Sequence, residues 1–434
     1  MESIKPSKVY SWYFLGILTL ANISSFIDRQ ILALLVKPIK RDLHLSDTEI
    51  SLLMGLSFAL FYTLFGIFIG RLADTRSRKK IIMVGISIWS VMTSLCAGVG
   101  NYLQFFLARM GVGIGESTLS PSAYSMIADL FPKERLATAT SVFTMGVFLG
   151  SGIATLIGSG IVANLPTEGL VNIPLLSDIF PWQLIFLYVG LPGLAIVLLM
   201  TVLREPARTN SLQKNGIDAK LSLSESISII FTHKKAYLLI CFAIACQAMI
   251  NYGMNAWVPT FINRTYGWEV PRAGFFFGVV SCGAAIGGAL SGGALADKWV
   301  KRGVTDGRLR VGVVGIFLGL LGFIGPLMTN PQAALLCMGI PIFGLAMPFG
   351  AATAAIQEIM PNQVRAQASS ILLFIINLIG MGLGPLIVAY FTDSVFKDES
   401  MIRYSLIALF LIGGVSGLII SFLSLKPYRE AIKN

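Results

Sequence analysis

The sequence predicts an all-α membrane protein: twelve transmembrane helices arranged as two pseudo-symmetric halves of six. Three observations carry this. Of 434 residues, 55% are hydrophobic and only 13% charged, with a mean hydropathy of +0.76, whereas a soluble domain carries about a quarter charged residues. Apolar runs long enough to cross a hydrocarbon core of roughly 30 Å recur from one end to the other. Two polar motifs that close apolar runs each occur twice, once in each half. The ten-residue segments of alternating polarity that mark an outer-membrane barrel are not seen.

In chain order the spans are 11–36, 48–70, 80–98, 102–127, 136–163, 182–203, 236–262, 271–296, 310–328, 332–357, 366–392 and 402–425. Lys5 and Lys8 ahead of the first run imitate a signal peptide. The apolar character continues past Asp28 without a small-residue cleavage site, so a signal-anchor helix is expected. Most of the 33 Lys and Arg residues fall in the segments that share a side with both termini, which places the termini in the cytoplasm. Topology therefore accounts for the net charge of +11, and the basic residues are spread over loops rather than gathered on one face, so no nucleic-acid partner is expected. Cys96, Cys241, Cys246, Cys282 and Cys337 all lie in spans and read as small packing residues. His44 and His233 stand alone in loops, and no spacing suggests a metal site.

Internal repetition organises the chain. GRLADTRSRKK (70–80) follows span 2 and GGALADKWVKR (292–302) follows span 8, so that Asp74 aligns with Asp297 at an offset of 223. IADLFPKERLATATS (127–141) mirrors IQEIMPNQVRAQASS (356–370), pairing Pro132 with Pro361 at an offset of 229. The expected domains are residues 1–203, a cytoplasmic linker 204–235, and residues 236–434. A parallel duplication of this kind is a transporter architecture, with the site between halves that rock to expose it alternately. In the linker, Leu223, Ile227 and Ile230 have helical spacing among serines; an amphipathic surface helix and an ordinary connector both fit.

The stretch 70–80 resembles the loop motif of the major facilitator superfamily, Gly-x-x-x-Asp followed by a basic cluster. Gly70, Asp74, Arg78 and Lys79 are the candidate gating residues, with Gly66 and Gly70 letting spans approach. Asp74 either sits at a helix N-terminus or pairs with Arg78, holding one conformation closed.

Four ionisable residues lie well inside the spans: Asp28, Arg29, Arg109 and Glu116, all on spans 1 and 4, with cancelling charges. Each costs at least about 2.5–3.5 kcal/mol at the centre of an isolated helix, so pairing or a wet cavity is expected. Asp28 and Arg109 lie roughly 12 and 10 Å from the outer ends of their spans, and Glu116 about 10 Å deeper on the same face as Arg109. Asp28 and Glu116 are the candidate proton carriers. Arg29 and Arg109 are the candidate anion-holding groups, since protonating an acid frees its arginine. Glycines 111, 113 and 115 let span 4 pack closely or bend, and those of span 8 read as close packing.

IDRQILA, GRLADTRSRKK and above all RMGVGIGESTLSPSAYSMIADLFPKERLATA resemble the Spinster family of that superfamily. The resemblance is specific between about residues 22 and 141 and implies proton-coupled movement of anionic amphiphiles, such as lysophospholipids or sphingosine phosphates. It carries the Asp-Arg pair to Asp28 and Arg29 and the span-4 pair to Arg109 and Glu116. Ser25-Phe26 departs from the family, where an Asn and an aromatic are expected. The compact termini suggest a bacterial relative in the inner membrane. Sugar-acid symporters share the same charged pattern. A multidrug antiporter is disfavoured because FLGSGIATLIGSG (148–160) lacks a Gly-Pro motif. Repeat offsets take Asp28 to Asn251, Arg109 to Met338 and Glu116 to Leu345, an oily wall opposite a charged one. Asn251, Asn255, Trp257, Met338 and Leu345 are the candidate lining residues, with Pro259 expected to break span 7. No Walker, HExxH or G-x-S-x-G motif is present, so a transporter rather than an enzyme is expected. It is read as a monomer that uses no cofactor but the proton and meets a small amphiphilic or anionic substrate and the bilayer.

Overall fold

In the computed structural model the described residues are 7–131, scattered positions between 139 and 160, and 170–173, 177–207, 228–360 and 364–433. Among them nine helices are long and apolar enough to cross a membrane: Lys8–Leu34, Asp47–Gly70, Arg78–Gly98, Pro181–Thr201, Ser228–Tyr266, Val270–Lys301, Gly307–Leu327, Ile371–Phe396 and Glu399–Ile432. Spans 4 and 10 are present as pairs of shorter helices, and span 5 falls on the scattered positions. The chain divides into two compact units, Met1–Asp218 and Ala219–Asn434. Most of the segment read as an amphipathic helix, 221–231, lies outside the described residues.

The first unit opens with α1 (Lys8–Leu34), capped by the Ser7 hydroxyl, which accepts from the Tyr10 amide. A break at Leu35 leads into the short α2 (Val36–Leu43), which ends on His44 in the left-handed conformation. A reciprocal Ser46–Glu49 capping box starts α3 (Asp47–Ser51). A π-helical turn (Leu52–Leu56) then feeds α4 (Ser57–Thr75). The loop motif joins α4 to α5 (Arg78–Leu95), whose cap is Ser77. Span 4 is α6 (Tyr102–Glu116) and α7 (Leu119–Leu130), and α8 (Pro181–Thr201) is span 6. Strands β1 (Val171–Ile173) and β2 (Ser177–Ile179) form an antiparallel hairpin ahead of α8.

The second unit comprises α9 (Lys234–Tyr266), α10 (Val270–Lys301), α11 (Gly307–Leu320), α12 (Pro331–Ala346), α13 (Phe349–Ile359), α14 (Arg365–Ile375), α15 (Gly382–Tyr390) and α16 (Ile402–Lys433). One end of this unit is sealed by a buried cluster that includes Tyr237, Ile356, Val364 and Tyr428. The Tyr237 hydroxyl donates to the Ala368 carbonyl at 2.6 Å.

Two departures from the sequence expectation have local causes. Spans 4 and 10 break at matching places, 117–118 and 347–348. In span 4 the Ser117 and Thr118 hydroxyls donate back to the Ile114 and Gly115 carbonyls and compete with the helical ladder, and Pro121 follows. In span 10 Pro348 stands at the break. Span 7 does not break at Pro259; α9 runs through it to Tyr266, a missing donor that packed membrane helices tolerate. Glycine marks the tight contacts among the described residues. A Cβ at Gly66 or Gly70 would meet none of them within 4 Å. The close approach is at Gly115, where a Cβ would lie 2.6 Å from the Trp89 amide nitrogen and 2.7 Å from the Gly85 carbonyl. In the second unit it is at Gly292, 2.0 Å from the Met347 carbonyl.

Backbone against backbone leaves no flexible side chain to give way. Gly115→Ala is therefore expected to lower stability by roughly 1–3 kcal/mol. Gly66→Ala is expected to be neutral or to gain up to about 1 kcal/mol from helix propensity. Thermal unfolding of the two variants in detergent checks the contrast.

Candidate functional site

The four membrane-embedded charges meet as two ion pairs that cross from α1 to α6. Arg109 Nη1 donates to Asp28 Oδ1 at 3.1 Å. Arg29 Nε donates to Glu116 Oε2 at 2.6 Å, and its Nη2 lies 2.6 Å from the same oxygen. Asp28, Arg109 and Glu116 are buried, and the Arg29 side chain retains 12% of its exposure. Neutral hydroxyls complete the network: Thr93 of α5 donates to Asp28 Oδ2, and Ser25, one turn before Arg29, donates to Glu116 Oε2. Adjacent residues on a helix diverge by about 100°, so neighbours Asp28 and Arg29 reach different partners on α6.

The network is incompletely paired. Arg109 Nε and Nη2 and Glu116 Oε1 are buried without a hydrogen-bond partner among the described residues. Nε and Nη2 form the edge of a guanidinium that grips a carboxylate or phosphate with two parallel bonds. Asp28 takes only Nη1, so that edge of Arg109 is not engaged by it. Around the other arginine, the rings of Phe26, Phe58 and Tyr62 lie 4.6, 4.5 and 4.7 Å from Arg29 Cζ.

At the opposite end of the first unit, the loop motif makes a clasp. Arg78 is buried; it donates to Asp129 of α7 and to the Pro206 carbonyl, and its Nε lies 3.5 Å from Glu205. Lys79 Nζ donates to the Thr201 and Leu203 carbonyls at 2.8 and 2.5 Å. These contacts tie the start of α5 to the ends of α7 and α8 inside one unit. Gly70 and Asp74 lie in the last turns of α4, and the side chain of Asp74 is outside the described residues. The second unit carries a counterpart, in which Arg308 pairs with Glu358 and the Tyr428 hydroxyl donates to the same carboxylate. Glu358 stands 229 residues after Asp129, the offset that pairs Pro132 with Pro361.

The expected lining residues of the second unit separate into two groups. Asn251 and Asn255 are half-buried, and the Asn255 amide donates to both the carbonyl and the side-chain oxygen of Asn251 at 2.8 Å. Trp257 and Met338 are fully buried and Leu345 nearly so. The Trp257 indole donates to the Pro385 carbonyl at 3.0 Å. Met338 and Leu345 lie against Gly325 and Gly319, filling the space those glycines leave. Through these contacts the three pack against helices of their own unit. Each stands on a helix face that meets a neighbouring helix, which repeat offsets alone do not reveal.

Ser25, Thr93, Phe26, Phe58 and Tyr62 went unpredicted as site residues. Ser25-Phe26 had been visible only as a departure from the family pattern, and the departing residues are the ones that contact Glu116 and Arg29. The i,i+4 aromatic pair Phe58 and Tyr62 was the other available signal.

Two compact units of membrane-spanning helices, with paired charges inside the first and a basic clasp at one end, are the architecture of a secondary transporter. The chain belongs to the major facilitator superfamily, whose family description matches residues 18–385. Within that superfamily its resemblance is to the Spinster transporters. The solved structure of a bacterial homologue of the human lysosomal transporter Spinster, in an inward-facing and unoccupied conformation, superimposes with a TM-score of 0.79 at 25% identity, covering 99% of this chain and 98% of that one. An MFS-type efflux pump of Mycolicibacterium smegmatis is 27% identical over 97% of this chain and 94% of the pump. A hexuronate transporter of Bacillus subtilis is 25% identical, covering 87% and 86%. A sphingosine-1-phosphate transporter of Xenopus tropicalis is 24% identical, covering 92% and 78%.

Breaking one member of a buried ion pair strands the other. Asp28→Asn and Arg109→Gln are each expected to cost about 3–5 kcal/mol, and the double variant less than the sum by about 0.5–3 kcal/mol. Unfolding of the four proteins in one detergent gives the cycle; strict additivity would show that the contact carries no coupling.

Proposed function

We propose that the protein is a proton-coupled transporter of an amphiphile with an anionic head, working by alternating access in a bacterial plasma membrane with both termini cytoplasmic. The observation that carries the reading is the asymmetry of the two arginines. Glu116 occupies the two-donor edge of Arg29, whereas Asp28 leaves the equivalent edge of Arg109 unengaged. A buried, permanently charged fork with spare donors is suited to a phosphate or carboxylate. In the proposed cycle the substrate head docks on Arg109, protonation of Glu116 releases the edge of Arg29 as a second grip, and loss of the proton restores the internal pair and weakens binding. The resemblance to Spinster proteins and to a sphingosine-1-phosphate transporter supports a lipid-like cargo. The similarity to a hexuronate transporter favours a second reading, a sugar-acid symporter using the same forks.

Two measurements separate these readings. In proteoliposomes Glu116→Gln is expected to abolish substrate-linked pH changes while the protein stays folded; full coupling in that variant would sink the proton assignment. In a series sharing one anionic head, an amphiphile site tightens by up to about fourfold per added methylene, from ~0.8 kcal/mol each. Arg109→Ala should weaken every member alike. A short sugar acid that binds as tightly as the long-chain compounds would decide for the symporter.

A further inference from the structure

We infer that Phe26, Phe58 and Tyr62 form a fixed socket that holds the Arg29 guanidinium in place whether or not Glu116 is charged, so that the arginine is a stationary anion receptor rather than a swinging arm. Three ring centroids at 4.5–4.7 Å from one Cζ all lie well inside the ~6 Å reach of a cation–π contact. They come from two helices. Phe26 is one turn before Arg29 on α1, while Phe58 and Tyr62 stack on each other on α4, 5.3 Å apart with planes at 21°. The α4 rings are anchored by backbone. The π-helical turn Leu52–Leu56 immediately precedes them and resets their direction. The Phe58 carbonyl lies 2.7 Å from where a Cβ on Gly113 would stand, so α4 and α6 touch there main chain to main chain. Phe58 is completely buried and also faces Arg109, 5.7 Å from its Cζ, which makes one ring the shared wall of both guanidinia.

The physical consequence follows from what rings lack. They carry no proton to lose, so their attraction for Arg29 is the same with Glu116 charged or neutral. An arginine that does not move gains nothing differential from them; the socket acts by denying Arg29 anywhere else to go. Without it, neutralising Glu116 would let the guanidinium drift toward water, and that release would favour the neutral acid. Among the described residues the charged and titratable groups seen around the pair are Asp28 on α1, Tyr62 on α4 and Arg109 on α6, with Cys96 after α5 near Asp28 and Arg109. None of them offers Arg29 a substitute acid except Asp28, which is engaged by Arg109 and Thr93. This inference rests on the proton reading of Glu116 for its transport arm only.

The test uses the full chain in nanodiscs with isotope-labelled arginine, the Arg29 Nε–H resonance being assigned by its loss in Arg29→Lys. Ring faces shift that resonance upfield. The socket predicts that the shift persists in Glu116→Gln and disappears in Glu116→Gln/Phe58→Leu. Loss of the shift in Glu116→Gln alone would overturn it, because the acid and not the rings would then be the anchor. In proteoliposomes loaded with a lysophospholipid, Tyr62→Leu and Phe58→Leu are expected to move the pH midpoint of transport upward by about half to one unit, with Tyr62→Phe returning it. A lower rate at an unchanged midpoint would reduce the rings to packing and overturn the socket. If wild-type transport proves independent of pH, the proton reading falls, and the arginine resonance still decides the socket by itself.

Discussion

Charge balance in a place that water scarcely reaches is the constraint on which the first unit is built. Two acids and two arginines lie within a few ångströms of one another, and none can be left alone without a cost comparable to a large part of a protein's net stability. The arrangement of helices around them answers that requirement. α1 and α6 supply opposite charges at matching depths, α5 brings Thr93 to Asp28, and α4 lays aromatic faces over the cations. Such proximity needs helix axes closer than ordinary side chains allow, and the glycines of α6 provide it. The glycine run, read in the sequence as allowing close packing or a bend, is in this structure a track along which α4 and α5 press their main chains.

The second unit is built on the same plan without the same burden. Its helices meet at equally tight glycine contacts, and span 10 breaks where span 4 does. The positions corresponding to the four buried charges are an asparagine, a tyrosine and two apolar residues. The apolar pair packs inside the unit on α12, and on α9 the amides of Asn251 and Asn255 form a half-exposed ladder.

Much of this was legible in the sequence because membrane physics is strict about a few things. An ionisable residue in a 20-residue apolar run has to be accounted for, so Asp28, Arg29, Arg109 and Glu116 announced themselves and their depths matched by simple helical rise. The halves and their joints were legible because turn and loop motifs repeat with nearly constant offset. What stayed hidden is what depends on azimuth. Phe58, Tyr62 and Thr93 are ordinary in a membrane helix until one knows which way they point. Met338 and Leu345, reached by repeat offset, and Trp257 on span 7 are buried, which neither offset nor spacing reveals. Helix breaks at 117–118 were also obscured, since hydroxyls that donate to their own backbone leave no mark on hydropathy.

The clasp at the end of each unit has a bearing on ancestry. Arg78 with Asp129 and Arg308 with Glu358 join corresponding helices through the same kind of bond; the acids stand at positions that the internal repeat equates, and each arginine lies in the first turn of its helix. Inheritance from one six-helix forebear accounts for that coincidence more simply than two separate inventions. The clasp therefore predates the doubling of the gene, whereas the buried charges, present in one descendant half alone, record what diverged afterwards. One copy kept or acquired the four buried charges, and the other carries uncharged residues at the corresponding positions.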